Sequence, residues 1–228
     1  MNWIVNNTDQ IGQLLVAHIG LAILPVILSF IISIPIGWLA NRYKLSRSTI
    51  LTICGLLYAI PSLPLLIVLP LITGVGVRTS SNLILALTIY GIALMVRSTA
   101  DGLASVDPDI RQSASAMGYS ARGQFWRVEL PLAGPVLLAG IRVVSVSTVS
   151  LTTVGAVLGI QSLGLLFTDG LQRGIQAEVW TGIVLTIVVA LVFDIIIVQV
   201  GRLLMPWTRV VKVSRRATKR IARTEVTA

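Results

Sequence analysis

Residues 10–41 read QIGQLLVAHIGLAILPVILSFIISIPIGWLAN, a run of 32 residues without Asp, Glu, Lys or Arg. A helix that crosses the hydrocarbon layer of a membrane needs about 20 mostly apolar residues. Three further uncharged runs, of 30, 18 and 26 residues, lie between Arg47 and Arg78, between Arg78 and Arg97, and between Arg142 and Asp169. A fifth apolar region, 179–205, is interrupted by Asp194. These runs predict a chain that crosses the membrane several times.

The composition also indicates a membrane as the solvent. Of 228 residues, 55% are hydrophobic and 12% are charged, whereas a soluble domain is about a quarter charged. Ordinary soluble and disordered chains are therefore excluded. The apolar runs are continuous, which favours helices over a β-barrel. We predict an all-α polytopic membrane protein with about five transmembrane helices, at residues 16–40, 49–72, 81–99, 132–157 and 179–204.

Five prolines lie inside the first two predicted spans, and they are Pro25, Pro35, Pro61, Pro64 and Pro70. Membrane helices tolerate such residues where neighbouring groups satisfy the carbonyls that proline leaves free. We therefore expect both spans to remain membrane helices, with neighbouring groups bonded to the carbonyls that the prolines leave free.

The distribution of basic residues predicts the orientation. If the N-terminus is outside, the inner segments 41–49, 97–130 and 202–228 hold 15 of the 18 Lys and Arg residues. The positive-inside rule then predicts an outer N-terminus and a cytoplasmic C-terminus. We expect a transmembrane domain over 1–205 and a basic cytoplasmic tail over 206–228. An electrostatic hold on anionic lipid explains this tail more simply than nucleic-acid binding does, so no nucleic-acid partner is expected.

Few residues in the chain could carry catalysis. The single cysteine, Cys54, is expected to be a small buried hydrophobe, and the single histidine, His18, to have a structural or interfacial role. The sequence contains no nucleophile-elbow, zinc-protease or P-loop motif. We therefore expect no enzyme activity, no metal and no cofactor in this chain. Energy for any transport must come from an ion gradient or from another polypeptide.

The longest polar segment, 100–131, joins the third and fourth predicted spans. Asp107 and Pro108 form a helix start and Gly118 a helix stop, which predicts a short helix over 108–117. Its Ile110, Ala114 and Met117 share one face by their spacing. The segment is either a loop that packs on its own helix ends or a knob that docks on a cytoplasmic partner.

The same segment carries a resemblance to a known family. Gln112-Ser113-Ala114-Ser115-Ala116-Met117-Gly118, nine residues, and then Val128-Glu129-Leu130-Pro131 resemble the EAA loop of ABC importer permeases. The family pattern is Glu-Ala-Ala, three residues, Gly, nine residues, Ile-x-Leu-Pro. Gln112 stands where the family has the Glu that contributes to the contact with the ATPase.

Softer similarities point to one branch of that family. Ile60-Pro61-Ser62-Leu63, and the run from Trp126 to Ala133, resemble the glycine betaine/carnitine/choline permeases. The resemblance implies a type I ABC importer permease fold for a compatible solute. It also implies a second permease subunit, a cytoplasmic ABC ATPase that uses ATP and Mg, and an extracytoplasmic substrate-binding protein. The alternatives are another small solute such as an amino acid, or a gradient-driven transporter or channel.

Two sets of site residues follow. The resemblance implies that contact with the ATPase involves Asp109, Ile110, Arg111, Gln112, Ala114, Met117, Gly118, Tyr119, Leu130 and Pro131. Intramembrane charge, hydroxyls and the proline segment suggest a translocation path that includes Tyr58, Pro61, Ser62, Arg142, Thr148, Thr152 and Asp194. The charged pair could instead be a structural contact, and the hydroxyls of the fourth span could instead join helix to helix.

Overall fold

A computed structural model describes residues 2–208, with the side chains of residues 2, 44, 45 and 208 excepted. The predicted basic tail lies, from residue 209 onward, outside the described residues. The α-helices are α1 (Asn2–Asn6), α2 (Thr8–Arg42), α3 (Lys44–Ala59), α4 (Ser62–Thr73), α5 (Ser80–Ala104), α6 (Pro108–Ala116), α7 (Ala121–Gln124), α8 (Leu130–Thr152), α9 (Gly164–Arg173) and α10 (Gln176–Leu204). A π-helical turn occupies Phe125–Glu129, and 3₁₀ turns occupy Thr153–Leu158 and Pro206–Thr208.

The all-α class is confirmed for the described residues, and so is the approximate number of spans. Helices α2, α5 and α10, and the continuous helical stretch 121–158 that contains α8, are long and apolar enough to cross a membrane. The bent pair α3–α4 makes a fifth candidate. Helix α2 begins at Thr8, well before the predicted start at residue 16. Residues 105–129, which include α6, are hereafter the connector, and the end of the bundle where they lie is the connector end.

The prediction of one helix over 49–72 is wrong, because the chain bends by 108° between α3 and α4. Ile60 and Pro61 both have extended backbone conformations, with ψ of 127° and 142°. A residue before proline avoids the helical region, and proline supplies no N–H to continue the helix. The hydroxyl of Tyr90 donates a 2.6 Å hydrogen bond to the carbonyl of Ile60. A neighbouring helix thus satisfies a carbonyl at the break.

Helix α5 lies at the centre of the bundle and packs against α2, α3, α4 and α8. Small residues let the helix axes approach closely. A Cβ added to Gly91 would lie 2.6 Å from the Cβ of Ser29 on α2, and one added to Gly140 on α8 would lie 2.5 Å from the Cβ of Ser98. The interfaces of α5 with α2 and α8 therefore depend on residues without side chains at these crossings.

The fourth span is predicted to begin at residue 132, just after Leu130-Pro131, but the helix has no start there. Residues 121–158 form one helical stretch, because a π-helical turn precedes Pro131. In that turn the N–H of Leu130 donates to the carbonyl of Phe125, five residues back. The wider turn accommodates the proline ring and its missing N–H without ending the helix.

Cys54 and His18, for which the sequence predicts no catalytic role, lie inside the bundle. Cys54 is buried and free. His18 is completely buried on α2, one turn from the buried Leu14 and Ala22. The burial of Cys54 agrees with its expected role, and the burial of His18 favours the structural over the interfacial alternative.

Candidate functional site

The short helix α6 has defined caps at both ends. The carboxylate of Asp107 accepts a 2.8 Å hydrogen bond from the N–H of Asp109, and Pro108 occupies the first helical position. At the other end Gly118 has a φ of +82°. The N–H of Tyr119 donates to the carbonyl of Ala114 at 3.2 Å, and that of Gly118 to Ser115 at 3.0 Å. This arrangement is a Schellman motif, whose left-handed position favours glycine.

A polar network fastens α6 to the two membrane helices that flank it. Arg111 donates to the carbonyl of Leu103 at the end of α5, and its Nε lies 3.6 Å from Oε1 of Glu129. Gln124 donates to the same Glu129 oxygen at 3.0 Å, and Ser115 donates to Gln124 at 3.2 Å. Because Glu129 immediately precedes α8, the network joins α6 to α5 and α8. Arg111, predicted to contact the ATPase, is therefore used within this chain.

Sequence reasoning missed Glu129 and Gln124 as members of this site. Arg111 and Glu129 are opposite charges in a chain with few charges, and both lie in the predicted polar segment. That combination could have suggested a pair. The sequence does not indicate that the carbonyl of Leu103 and the amide of Gln124 complete the network, because those contacts depend on how the connector packs against the ends of α5 and α8.

The predicted apolar face of α6 is divided between two environments. Ile110 and Met117 are 42% and 70% exposed, whereas Ala114 is 1% exposed. Ala114 therefore packs inward, so the three residues that share a face by their spacing do not share one environment. Gln112 and Asp109 are exposed, and Tyr119 is 37% exposed. These exposed groups form the surface that α6 presents outward.

A concavity of about 660 Å³ lies beside the end of α6, and its lining includes Met117, Tyr119, Arg122, Trp126 and Arg127. Leu130 and Pro131 lie elsewhere. Both line an apolar cavity between helices, and Leu130 packs against the buried core. Their predicted part in contacting an ATPase would therefore be indirect, through the position of α8.

The two predicted intramembrane charges pair with each other within the chain. Nε of Arg142 on α8 lies 2.6 Å from Oδ1 of Asp194 on α10, and Nη2 lies 2.9 Å from Oδ2. The pair is bidentate, which is the strongest arrangement for these groups. The Arg142 side chain remains 46% exposed and that of Asp194 24% exposed. A place beside the translocation path remains a prediction for both.

Three other predicted path residues lie at the break between α3 and α4. The ring of Tyr58 is 45% exposed and meets the ring of Tyr90 edge-on, with centroids 6.0 Å apart. Pro61 and Ser62 form the break itself, where Ser62 begins α4. The structure thus groups these residues against α5, separately from the ion pair between α8 and α10.

The predicted path residues Thr148 and Thr152 are packed inside the chain. They are 3% and 0% exposed, and the hydroxyl of Thr152 donates to the carbonyl of Thr148 at 2.7 Å. A side chain in this position cannot line an open passage without separation of the helices. Burial therefore favours the alternative in which these hydroxyls belong to helix packing.

Comparisons with known proteins agree in family and in fold. The sequence profile of the family described as "Binding-protein-dependent transport system inner membrane component" matches residues 33–210. The glycine betaine/carnitine/choline transport system permease protein OpuCD of Bacillus subtilis is 30% identical over 205 residues, which cover 88% of this chain and 86% of that protein. The osmoprotectant import permease protein OsmW of Salmonella typhimurium is 29% identical over 215 residues, covering 90% and 97%.

A solved structure shares the fold. A chain of the MetNI methionine ABC transporter, determined in inward-facing conformations, superposes with a TM-score of 0.76 at 21% identity. The match covers 86% of this chain and 97% of that chain. At this identity the likeness concerns the fold alone.

Proposed function

Because the chain belongs to the family of binding-protein-dependent transport system inner membrane components, we propose that it carries a compatible solute with a quaternary ammonium group across the membrane. The family match covers most of the chain. The protein is accordingly a multi-pass membrane permease of a bacterial ABC importer, and it is not itself catalytic. The family also decides against the gradient-driven alternative.

The substrate class rests on the relatives. Permeases named for glycine betaine, carnitine, choline and osmoprotectants match this chain at about 30% identity over most of their length. This near-complete coverage is the observation that carries the proposal. The solutes in those names share a quaternary ammonium group, a cation that aromatic rings and carboxylates can hold.

The proposed coupling surface is the exposed side of α6. A partner ATPase would contact Ile110, Gln112, Met117 and Tyr119, which point outward, and Asp109 at the start of the helix. Gln112 can hydrogen-bond with a partner but cannot form the ion pair that a Glu could. A push on α6 would reach α5 and α8 through Arg111 and Glu129, because α6 is fastened to both helices.

The proposed assembly contains this permease, a second permease subunit, a cytoplasmic ATPase that uses ATP and Mg, and an extracytoplasmic binding protein. The connector end would face the cytoplasm, since the predicted inner segments hold most of the basic residues. The proposed passage uses Tyr58, Pro61 and Ser62 at the α3–α4 break and the Arg142–Asp194 pair. It is built without Thr148 and Thr152 because both are buried.

Reconstitution tests the function directly. The purified permease complex, with its ATPase and binding protein, is placed in proteoliposomes, and uptake of radiolabelled glycine betaine, carnitine and choline is measured. Uptake is expected only with ATP on the ATPase side. Uptake without ATP would contradict the importer mechanism. ATP-driven uptake of another solute but none of these three would contradict the proposed substrate class.

Gly118 tests the coupling surface. Gly118→Asp is expected to lose ATPase co-purification or coupled uptake while its membrane insertion is unchanged. Gly118→Asn is the matched control, because Asn has the same shape, tolerates a positive φ and adds no charge. If Gly118→Asp keeps wild-type uptake, the end of α6 does not contact the ATPase.

A further inference from the structure

We propose that Arg142 and Asp194 form an exchangeable ion pair that receives a zwitterionic substrate during passage. The substrate carboxylate would replace Asp194 on Arg142, and its quaternary ammonium would replace Arg142 beside Asp194. The proposal rests on the proposed substrate class and adds the site within the permease that recognises both charges. The evidence is the position of the pair, its exposure, the cavity beside it and the packing of α10.

The pair lies deep in the predicted membrane layer. Arg142 is twelve residues after the start of α8, and Asp194 is ten residues before the end of α10. These separations correspond to about 18 Å and about 15 Å of helix. A hydrocarbon core is about 30 Å thick. Both groups are therefore well away from either end of their helices, where long side chains reach the water layer.

The exposure of the pair at this depth is informative. Charged groups within membrane helices almost always face the bundle interior or a water-filled cavity, because contact with lipid is costly. The Arg142 side chain is nevertheless 46% exposed in the isolated chain. We infer that the face carrying the pair is turned toward a passage or toward another subunit, and away from lipid.

An apolar cavity of about 450 Å³ lies between α2, α8 and α10, one helical turn from the pair. Its lining includes Phe30, Leu138, Ile141, Ile197 and Val200. Leu138 and Ile197 are each within one turn of Arg142 and Asp194, on the side toward the connector end. Methyl groups of a quaternary ammonium suit an apolar lining, and Phe30 contributes an aromatic side chain to that lining.

The packing of α10 allows the two charges to separate. The buried residues of α10 are Glu178, Gly182, Val189 and Gly201, so none lies between 190 and 200. Gly201 packs closely on Leu138 of α8, and the pair itself joins the helices at Asp194. A zwitterion that satisfies both charges would allow this part of α10 to move away from α8 without leaving either charge unpaired.

The experiment compares a zwitterion with a plain cation. Proteoliposomes that contain the complete transporter take up radiolabelled glycine betaine or choline, which lacks the carboxylate. Arg142→Gln is expected to lower glycine betaine uptake at least about tenfold and choline uptake much less, because a charge-assisted contact to the carboxylate is lost. Asp194→Asn is expected to lower both about tenfold. The binding protein is the same in every sample, so a changed ratio reports the permease.

The matched control is the half-exposed pair Arg47–Asp101, which joins α3 to α5 at 2.7 Å. Arg47→Gln is expected to leave the ratio of glycine betaine to choline uptake unchanged. All values are normalised to the amount inserted in the membrane. If Arg142→Gln does not insert, Arg142→Lys replaces it and is expected to change the ratio in the same direction by a smaller factor.

Two results would overturn the proposal. The first is an unchanged ratio of glycine betaine to choline uptake in Arg142→Gln or Arg142→Lys. The second is full recovery of uptake in the charge-swapped Arg142→Asp/Asp194→Arg variant, because an ion pair that only holds the helices together needs only opposite charges. If the wild type carries glycine betaine but no choline, the ratio cannot be measured, and uptake by the charge-swapped variant then decides between the proposal and a structural ion pair. If the wild type carries none of glycine betaine, choline and carnitine, the proposed substrate class fails and this site fails with it; if it carries carnitine alone, carnitine takes the place of glycine betaine and the swapped variant decides. Uptake of glycine betaine with an unchanged ratio refutes the site alone.

Discussion

Helices α5 and α10 are both long and apolar, yet they are packed in opposite ways. In their most apolar 18-residue windows, 61% of the α5 residues are buried, against 6% of those in α10. Helix α5 is surrounded by α2, α3, α4 and α8, whereas α10 packs on α8 and α9 and leaves most of its surface open. Hydrophobicity alone therefore does not distinguish the scaffold of the bundle from a face available to lipid or another subunit.

The largest effect is expected where α5 has no room for a side chain. Gly91→Leu would place atoms against Ser29, whose Cβ is 2.6 Å from the position of a new Cβ. Overpacking of this kind is expected to destabilise the fold by about 3 kcal/mol or to prevent folding. Thermal unfolding of the detergent-purified protein measures the loss. Val188→Leu on exposed α10 is the control, and equal losses would refute the contrast.

The second effect concerns the connector, where α5 is fastened to α6. Arg111→Gln removes the ion pair with Glu129 and weakens the bond to Leu103. We expect uptake per ATP hydrolysed to fall about tenfold, because loss of a charged hydrogen bond frees α6 from α5 and α8. Uptake and ATPase rates measured on the same vesicles give this ratio. Arg202→Gln, an exposed change in the last turn of α10, should leave the ratio near the wild-type value.

A smaller effect is expected at the break between α3 and α4. Tyr90→Phe keeps the ring but removes the hydroxyl that donates to the carbonyl of Ile60. The carbonyl then lacks this partner in a membrane environment, and a loss of about 1 kcal/mol is expected. Thermal unfolding reports it. Tyr58→Phe, at a more exposed ring, is the comparison. An equal or larger loss of stability there would show that the hydrogen bond from Tyr90 does not stabilise the fold beyond what a tyrosine hydroxyl does elsewhere.

The smallest effect is expected on α10. Leu191 is 57% exposed, so Leu191→Ala should change the stability of the isolated permease by less than about 0.5 kcal/mol. The same measurement on the complete transporter sharpens the comparison. A larger loss there would mean that another subunit covers this face, whereas no loss in either sample would mean that it faces lipid. A large loss in the isolated chain would contradict the open packing of α10.

Most of the fold could be predicted from where charges are absent. Stretches that are apolar throughout must satisfy their backbone groups internally, so their length sets the number of helices. The caps of α6 were also predictable, because Asp107, Pro108 and Gly118 act through local backbone geometry. The sharp bend at Pro61 was not, because proline inside α2 and α4 leaves those helices intact. The Tyr90 hydroxyl that bonds the Ile60 carbonyl at this bend comes from 30 residues away, and no local pattern indicates it.

The candidate site was less predictable than the fold. The sequence pointed to Arg142 and Asp194 as costly charges within spans, but their mutual contact depends on how α8 and α10 pack, 52 residues apart. For Thr148 and Thr152, the period of the helix does not say which side faces a neighbour. The inward turn of Ala114 has the same origin, since the connector folds back over one side of α6.

The π-helical turn at Phe125–Glu129 also constrains how the protein can change over evolution. Nine residues separate Gly118 from Val128, and this segment sets the rotation of α6 relative to α8. Each residue of a helix corresponds to about 100° of rotation, so losing one residue from the helical part of this segment, 121–127, would turn Glu129 away from Arg111. A single deletion would disconnect the two helices even with every motif residue retained. Insertions and deletions in this segment should therefore survive only when a second length change restores the rotation.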